Sequence, residues 1–283
     1  MASPGPVHAF VPGHVTVFFA PRFRDDPART GSIGAGLTLA DGVVVGVEPS
    51  DETSVTLNGE RVSMAPVERA LAALGTPAGV HAETPLPPGA GFGVSGAVTL
   101  GAALAANHAT GAARSENDLV RAAHVAEVES NTGLGDVVAQ ARGGLPIRLE
   151  AGAPPHGALD GIPTAARVEY VSFGDRSTSD VLTGDTVALA AAGERALAAL
   201  REAPTLDRLF ALGGRFAREA DLLSPPVATA IEAVEATGGT ATMAMLGETV
   251  VALDDGLSAA GYDASACRTH PAGATLRLAP ESP

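Results

Sequence analysis

Pro87-Pro-Gly-Ala-Gly-Phe-Gly-Val-Ser-Gly-Ala97 is the stretch on which the reading of this sequence turns. Glycines at 89, 91 and 93 alternate with other residues and let the backbone approach a ligand closely. A helix starting near Ser95 and running to about Asn107 then presents unpaired N–H groups and the positive end of its dipole. That combination is an anion site which needs no lysine. In this reading Ser95 offers its hydroxyl to a magnesium ion bridging the phosphates of a nucleotide. Two other readings stay open here. One is a tight strand-to-helix turn with glycine used for packing. The other is a dinucleotide loop, although no βαβ unit with a ribose-binding acid is evident and the loop comes late in the chain.

The freedom from lysine is general. All 18 basic residues are arginines, set against 32 acidic ones, for a net charge of −14. No phosphate loop ending in Lys-Ser/Thr exists, no lysine Schiff base can form, and no protein-kinase lysine is available. Phosphate handling must therefore rest on backbone amides, arginine and a metal ion. Such an acidic chain repels nucleic acid and anionic lipid, so neither is expected as a partner. The exchange of lysine for carboxylate resembles adaptation to a salty cytoplasm, where surface charge is heavily screened.

With 283 residues and a 46% hydrophobic content, the chain can bury a large core as one domain or two intimate lobes. Cys267 is the only cysteine, which excludes an internal disulfide framework and a multi-cysteine metal site and points to a reducing compartment. The first basic residue is Arg22, so the positive start of a secretory signal is missing and a cytoplasmic location is expected. Thr84–Ala113 carries no charge, but its prolines, glycines and alanines are not the 20 or so apolar residues that a membrane helix needs.

Working outward from the loop, strands are expected at 8–11, 16–20, 42–47 and 54–57, with an Asn58-Gly59 hairpin turn. Helix 66–74 and strand 80–83 lead into the loop. Ser115-Glu-Asn-Asp118 resembles a capping box opening a helix to about Glu129. A break at 131–135, a short helix 136–142 and a strand 147–150 follow, then a loop at 151–161. Beyond it come strand 167–173, helices 186–201, 206–223 and 226–236, paired strands 240–246 and 249–253, and a last helix and strand. The interleaving without strict βαβ alternation indicates an α+β fold in two lobes.

Three motifs in order resemble the GHMP kinases, the family of galactokinase, homoserine kinase and mevalonate kinase. They are Val11-Pro-Gly-His14, Pro87–Ala97 and Gly238-Gly-Thr-Ala-Thr-Met-Ala-Met-Leu-Gly247, with His14 where most relatives have lysine. Gly31-Ser-Ile-Gly-Ala-Gly36, Ala123-His-Val-Ala-Glu127 and Thr132-Gly-Leu-Gly-Asp136-Val are similar to the branch of pantoate kinases found in archaea. The resemblance implies a lobe like domain 2 of ribosomal protein S5 over residues 1–157 and a ferredoxin-like lobe over 158–283. It implies ATP and Mg2+ as co-substrate and cofactor, pantoate as the phosphate acceptor, and often a homodimer.

On that resemblance, Pro88, Gly89, Ala90, Gly91, Phe92, Gly93, Val94, Ser95 and Gly96 bind the nucleotide, and Ser95 with Glu127 holds the magnesium ion. The same resemblance implies His124 as a contact to pantoate; it and Glu127 lie three residues apart on one helical face. Glu127 is otherwise a solvated carboxylate, and His124 a packed or surface histidine. Asp136, just beyond a Gly-Leu-Gly turn, is implied as the group that accepts the substrate hydroxyl proton; its plain alternative is a helix cap. Arg148 is implied to grip the pantoate carboxylate through two parallel hydrogen bonds, and Ser32 to bind the same substrate. Otherwise these two are an exposed strand arginine and a turn serine. Met243 and Met245 read as core filling.

Overall fold

The computed structural model describes residues 7–174 and 186–278. Its first element pair is a long antiparallel hairpin, β1 (Val7–Arg22) and β2 (Gly31–Pro49), with bulges at Pro12/Gly13 and Thr16/Phe18. Both strands are buried along most of their length, which is why they lack a clear polar–apolar alternation. β3 (Ser54–Leu57), β4 (Glu60–Val62), α1 (Ala65–Leu74) and β5 (Ala78–Glu83) follow.

The glycine loop leads into α2 (Val94–Thr110), then α3 (Glu116–Glu129) and α4 (Asp136–Arg142). α2 is buried on all sides from Val94 to Ala106, apart from Ser95 at its mouth. Its small residues let it lie close to the sheet: a Cβ on Gly101 would stand 2.5 Å from Val45. Ser115 and Asp118 close a reciprocal capping box that fixes the start of α3.

β6 (Leu145–Glu150) and β7 (Ala158–Ile162) form a hairpin, followed by β8 (Arg167–Ser172), α5 (Thr186–Glu202), α6 (Leu206–Glu219) and α7 (Pro225–Ala236). β9 (Ala241–Ala244), β10 (Thr249–Leu253), α8 (Gly256–Ala259), β11 (Ser265–Arg268) and β12 (Thr275–Leu278) complete the described chain.

Two sheets result. The larger has the order β12-β1-β2-β5-β3-β4, with β6 joined to β2 and β7 to β6. The smaller has the antiparallel order β11-β8-β10-β9. The boundary expected at 157/158 therefore does not separate the sheets. β7, expected as loop, pairs with β6, and β12 returns from the end of the chain to pair with β1. A glycine inside β7 and its shortness left it no readable period. The two units meet where Met245 N–H donates to the Thr16 carbonyl at 2.9 Å.

Candidate active site

The glycine loop owes its shape to backbone conformations that only glycine adopts readily. Gly89, Gly91 and Gly93 have φ of 78°, 92° and 62°. Gly93 is also the N-cap of α2, and no side chain caps that helix, so its first N–H groups face the cleft. Three bonds hold the loop from behind. His14 N–H donates to the Phe92 carbonyl at 2.9 Å, the Gln140 amide to Gly93 O at 2.9 Å, and the Thr249 hydroxyl to Ala90 O at 2.7 Å. The Phe92 ring packs edge-on against Tyr170, so its backbone, not its side chain, serves the cleft.

The cleft holds about 710 Å³ including its open mouth. Gly89, Gly91, Phe92, Gly93, Val94 and Ser95 line one side, and Ser32, Thr132–Asp136 and Arg148 another. Thr16 and Phe19 of β1 and Met245 and Leu246 of the smaller unit complete it. Ala90 and Gly96 stand behind the lining. Gly96 faces Gln140, and Pro88 is exposed outside the cleft.

Glu127 is only 3% exposed and accepts three hydroxyls. Ser95 and Thr99 donate to Oε1 at 2.8 and 2.9 Å, and Thr132 to Oε2 at 2.8 Å. Burial pushes its pKa up, the hydroxyls pull against it, and the net shift is upward. A buried carboxylate beside the first turn of α2, disfavoured as an anion by its burial, gains most from a divalent cation that pairs with its ionised form. Among the described residues no three His, Cys, Asp or Glu side chains make a metal cage. Magnesium bound through a carboxylate, a hydroxyl and substrate phosphates needs none, so Ser95 and Glu127 fit it.

Asp136 opens α4 with its side chain 26% exposed and accepts a hydrogen bond from His14 Nδ1 at 2.7 Å. Burial pushes its pKa up, but the His14 bond and the Arg148 charge outweigh it, and the carboxyl is held below its ordinary value. It is an anion at neutral pH.

Arg148 lies across the β2–β6 pair, where Gly34 is its register partner. It is 1% exposed, and its Nε and Nη1 have no hydrogen-bond partner among the described residues. Burial lowers its pKa to about 10, still well above neutrality. Gly135 leaves the room beside it: a Cβ there would stand 2.8 Å from both Arg148 Nε and Ser32 Oγ. A buried cation with unmatched donors, opening on a cleft, is a site for an anionic group.

The structure does not bring His124 to the cleft lining. Its Nε2 hydrogen-bonds the Thr30 carbonyl at 2.8 Å, so it steadies the entry to β2 two residues before Ser32. Sequence reasoning missed Thr99 and Gln140, each one helical turn after a singled-out residue, at 95+4 and 136+4. It also missed Thr132 as a partner of Glu127, and His14 as the partner of Asp136. Leu246 reaches the cleft from a left-handed backbone with φ of 69°, which no sequence signal announced. Met245, read as core filling, is buried and also lines the cleft.

Known proteins resemble this chain in sequence and in fold. The family model described as GHMP kinases N terminal domain matches residues 64–144. The pantoate kinase of Thermococcus kodakarensis is 34% identical over 265 residues, covering 87% of each chain. That of Methanocaldococcus jannaschii is 30% identical, covering 85% of this chain and 90% of its own. A solved structure titled as a phosphotransferase related to the CoA biosynthesis pathway superposes with a TM-score of 0.86 at 27% identity, over 96% of this chain and 99% of that one. Mevalonate-3-kinase from Thermoplasma acidophilum shares the fold at 12% identity and a TM-score of 0.71, over 98% of this chain and 99% of that one. With relatives this similar over most of its length, the chain belongs to the pantoate kinase family within the GHMP kinases.

Proposed function

We propose that this chain transfers the γ-phosphoryl group of ATP to the primary hydroxyl of pantoate, giving 4-phosphopantoate for coenzyme A synthesis. The observation that carries the reading is the unmatched guanidinium of Arg148, buried beside Asp136 and across the cleft from the glycine loop. Pantoate has a carboxylate at one end and the reacting hydroxyl at the other, and the cleft offers a cation and a carboxylate in the same arrangement.

The loop amides and the open end of α2 receive the triphosphate. Ser95 and Glu127 would hold Mg2+, which supplies charge neutralisation on the phosphates. Arg148 takes the substrate carboxylate and Ser32 a neighbouring polar group, while His124 keeps the Thr30–Ser32 segment in place. The hydroxyl oxygen attacks the γ-phosphorus in line as the bond to ADP breaks. Its proton passes to Asp136, late enough in a loose transition state for a weak base to suffice. Among the described residues no helix is long and apolar enough to cross a membrane.

The test is a coupled assay of ADP release with pantoate, homoserine, mevalonate and mevalonate phosphate. Pantoate is expected to give the highest kcat/KM, and no turnover of it refutes the reading. Asp136→Asn is expected to abolish transfer and keep ATP binding. The net charge of −14 further supports a working range in molar salt, to be checked as activity against salt; full activity in dilute buffer argues the other way.

A further inference from the structure

We propose that His14 is a positioning residue: it fixes the Asp136 carboxylate by donating Nδ1–H as a neutral imidazole, and takes up no proton during the reaction. The inference rests on the reading of Asp136 as the group that serves the substrate hydroxyl.

His14 stands on β1, fully buried, with Nδ1 2.7 Å from Asp136 Oδ1. An ionised carboxylate only accepts, so the proton between them belongs to Nδ1. The other ring nitrogen, Nε2, is buried and has no partner among the described residues. A proton on Nε2 would be a buried donor with nothing to bond, and the ring would carry a charge out of reach of water. Burial correspondingly holds the ring below the ordinary histidine pKa, against the pull of Asp136. The ring is therefore neutral and protonated at Nδ1. It has no outlet at Nε2, so it cannot relay the substrate proton to solvent.

The surroundings are shaped for this ring. Gly36 lies against it, and a Cβ at that position would stand 2.6 Å from Nε2. The last glycine of the Gly31–Gly36 stretch thus makes room for the histidine. The same residue also reaches the nucleotide side, because His14 N–H donates to Phe92 O at 2.9 Å. One residue thereby ties the glycine loop, through its backbone, to Asp136, through its side chain. The two reacting ends of the site are set at a fixed distance. An ammonium at this position would supply charge; the neutral ring supplies direction.

Two measurements test this on the full chain. Nitrogen-15 histidine NMR near neutral pH is expected to show His14 with a protonated Nδ1 and a bare Nε2. The opposite tautomer, or a doubly protonated ring, overturns the proposal. In kinetics, His14→Leu removes the donor, His14→Asn keeps a nitrogen donor at the Nδ1 position, and His14→Gln moves it to the Nε2 position. His14→Leu and His14→Gln are expected to lose about 100-fold in kcat with KM for ATP and pantoate nearly constant. His14→Asn is expected to recover most of that loss. Equal loss in Asn and Leu, or a loss carried by KM, overturns the proposal. Where a variant does not fold, the NMR result on the parent protein decides. If the parent turns over no alcohol, the Asp136 assignment fails, and the tautomer still reports on the His14–Asp136 bond by itself.

Discussion

Ser95 and Glu127 come from different helices and meet at 2.8 Å, hydroxyl to carboxylate. Ser95 is the one hydroxyl on Glu127 Oε1 that also opens on the cleft, whereas Thr99 on the same oxygen is wholly buried. The pair therefore joins two helices and, through Ser95, faces the cleft.

Ser95→Ala keeps the Thr99 and Thr132 bonds to Glu127, so stability should fall by only about 1 kcal/mol. Its magnesium requirement should rise about tenfold, the order expected for one lost ligand-shell contact. Glu127→Gln removes the charge itself and should cost about 100-fold in kcat/KM at fixed magnesium. Titrations of rate against magnesium check both. A Ser95→Ala enzyme with the parent's magnesium dependence would make the hydroxyl a packing group only.

The upward pKa shift of Glu127 gives a second prediction, with a definite sign. A carboxyl whose folded pKa is raised contributes stability below its unfolded value of about 4.5, and that contribution is lost as pH rises through the folded value. A cation binds the ionised form and restores what was lost. The rise in melting temperature on adding Mg2+ and nucleotide should thus be larger at pH 7 than at pH 5. Asp136, shifted the other way, stays ionised across this window and contributes nothing to the difference. Glu127→Gln should abolish the pH dependence of the magnesium effect, and a persistent slope in that variant would assign it elsewhere.

The parts of this site legible in the sequence are those whose signal is local. The glycine loop and the helix it opens were readable because positive φ demands glycine and an open helix end attracts anions. The Ser115 capping box and the Asn58-Gly59 turn were readable for similarly local reasons. The hairpin β1–β2 was only half visible: Pro12-Gly13 and the glycines of 31–36 interrupt it, and burial on both faces erases a period of two. The His14–Asp136 bond spans 122 residues, and only the folded chain makes it. That Arg148 makes no ion pair among the described residues, although it lies near Asp136, was equally hidden. The resemblance implied a carboxylate-gripping role and residue type alone an exposed strand arginine; packing buries it with Nε and Nη1 unpartnered among the described residues.

Arg148 yields a third prediction, in which function and stability part company. A buried cation with unmatched donors costs the folded state, and an apolar side chain of similar length relieves that cost. Arg148→Met should be at least as stable as the parent in thermal unfolding. Its KM for pantoate should rise about 100-fold, in line with two lost charge-assisted hydrogen bonds. Its KM for ATP should stay within about twofold, since a change of that size is well under 1 kcal/mol. Arg148→Lys keeps the charge and not the fork, and should fall between the two. Equal effects on both substrates would take Arg148 out of the acceptor site.

The last prediction concerns how the smaller unit shapes the loop. Gly247, in the β9–β10 turn, lies flat against the loop backbone. A Cβ there would stand 2.1 Å from Ala90 O and 2.6 Å from Gly91 N. Backbone atoms cannot yield as a flexible side chain does, so Gly247→Ala must push the loop and the turn apart. Overpacking of this kind costs about 1–3 kcal/mol. The displacement acts on the amides of Gly89–Gly93, so the KM for ATP should rise about tenfold while pantoate affinity changes little, a loss of one well-placed contact. Gly238 is the control: its φ is 83°, and nothing lies within 4 Å of a Cβ there. Gly238→Ala strains its own backbone by about 1–2 kcal/mol but touches no part of the loop. Comparable stability losses with a KM effect in Gly247→Ala alone would place the nucleotide loop under the control of this contact, and matched KM values in the two variants would remove it.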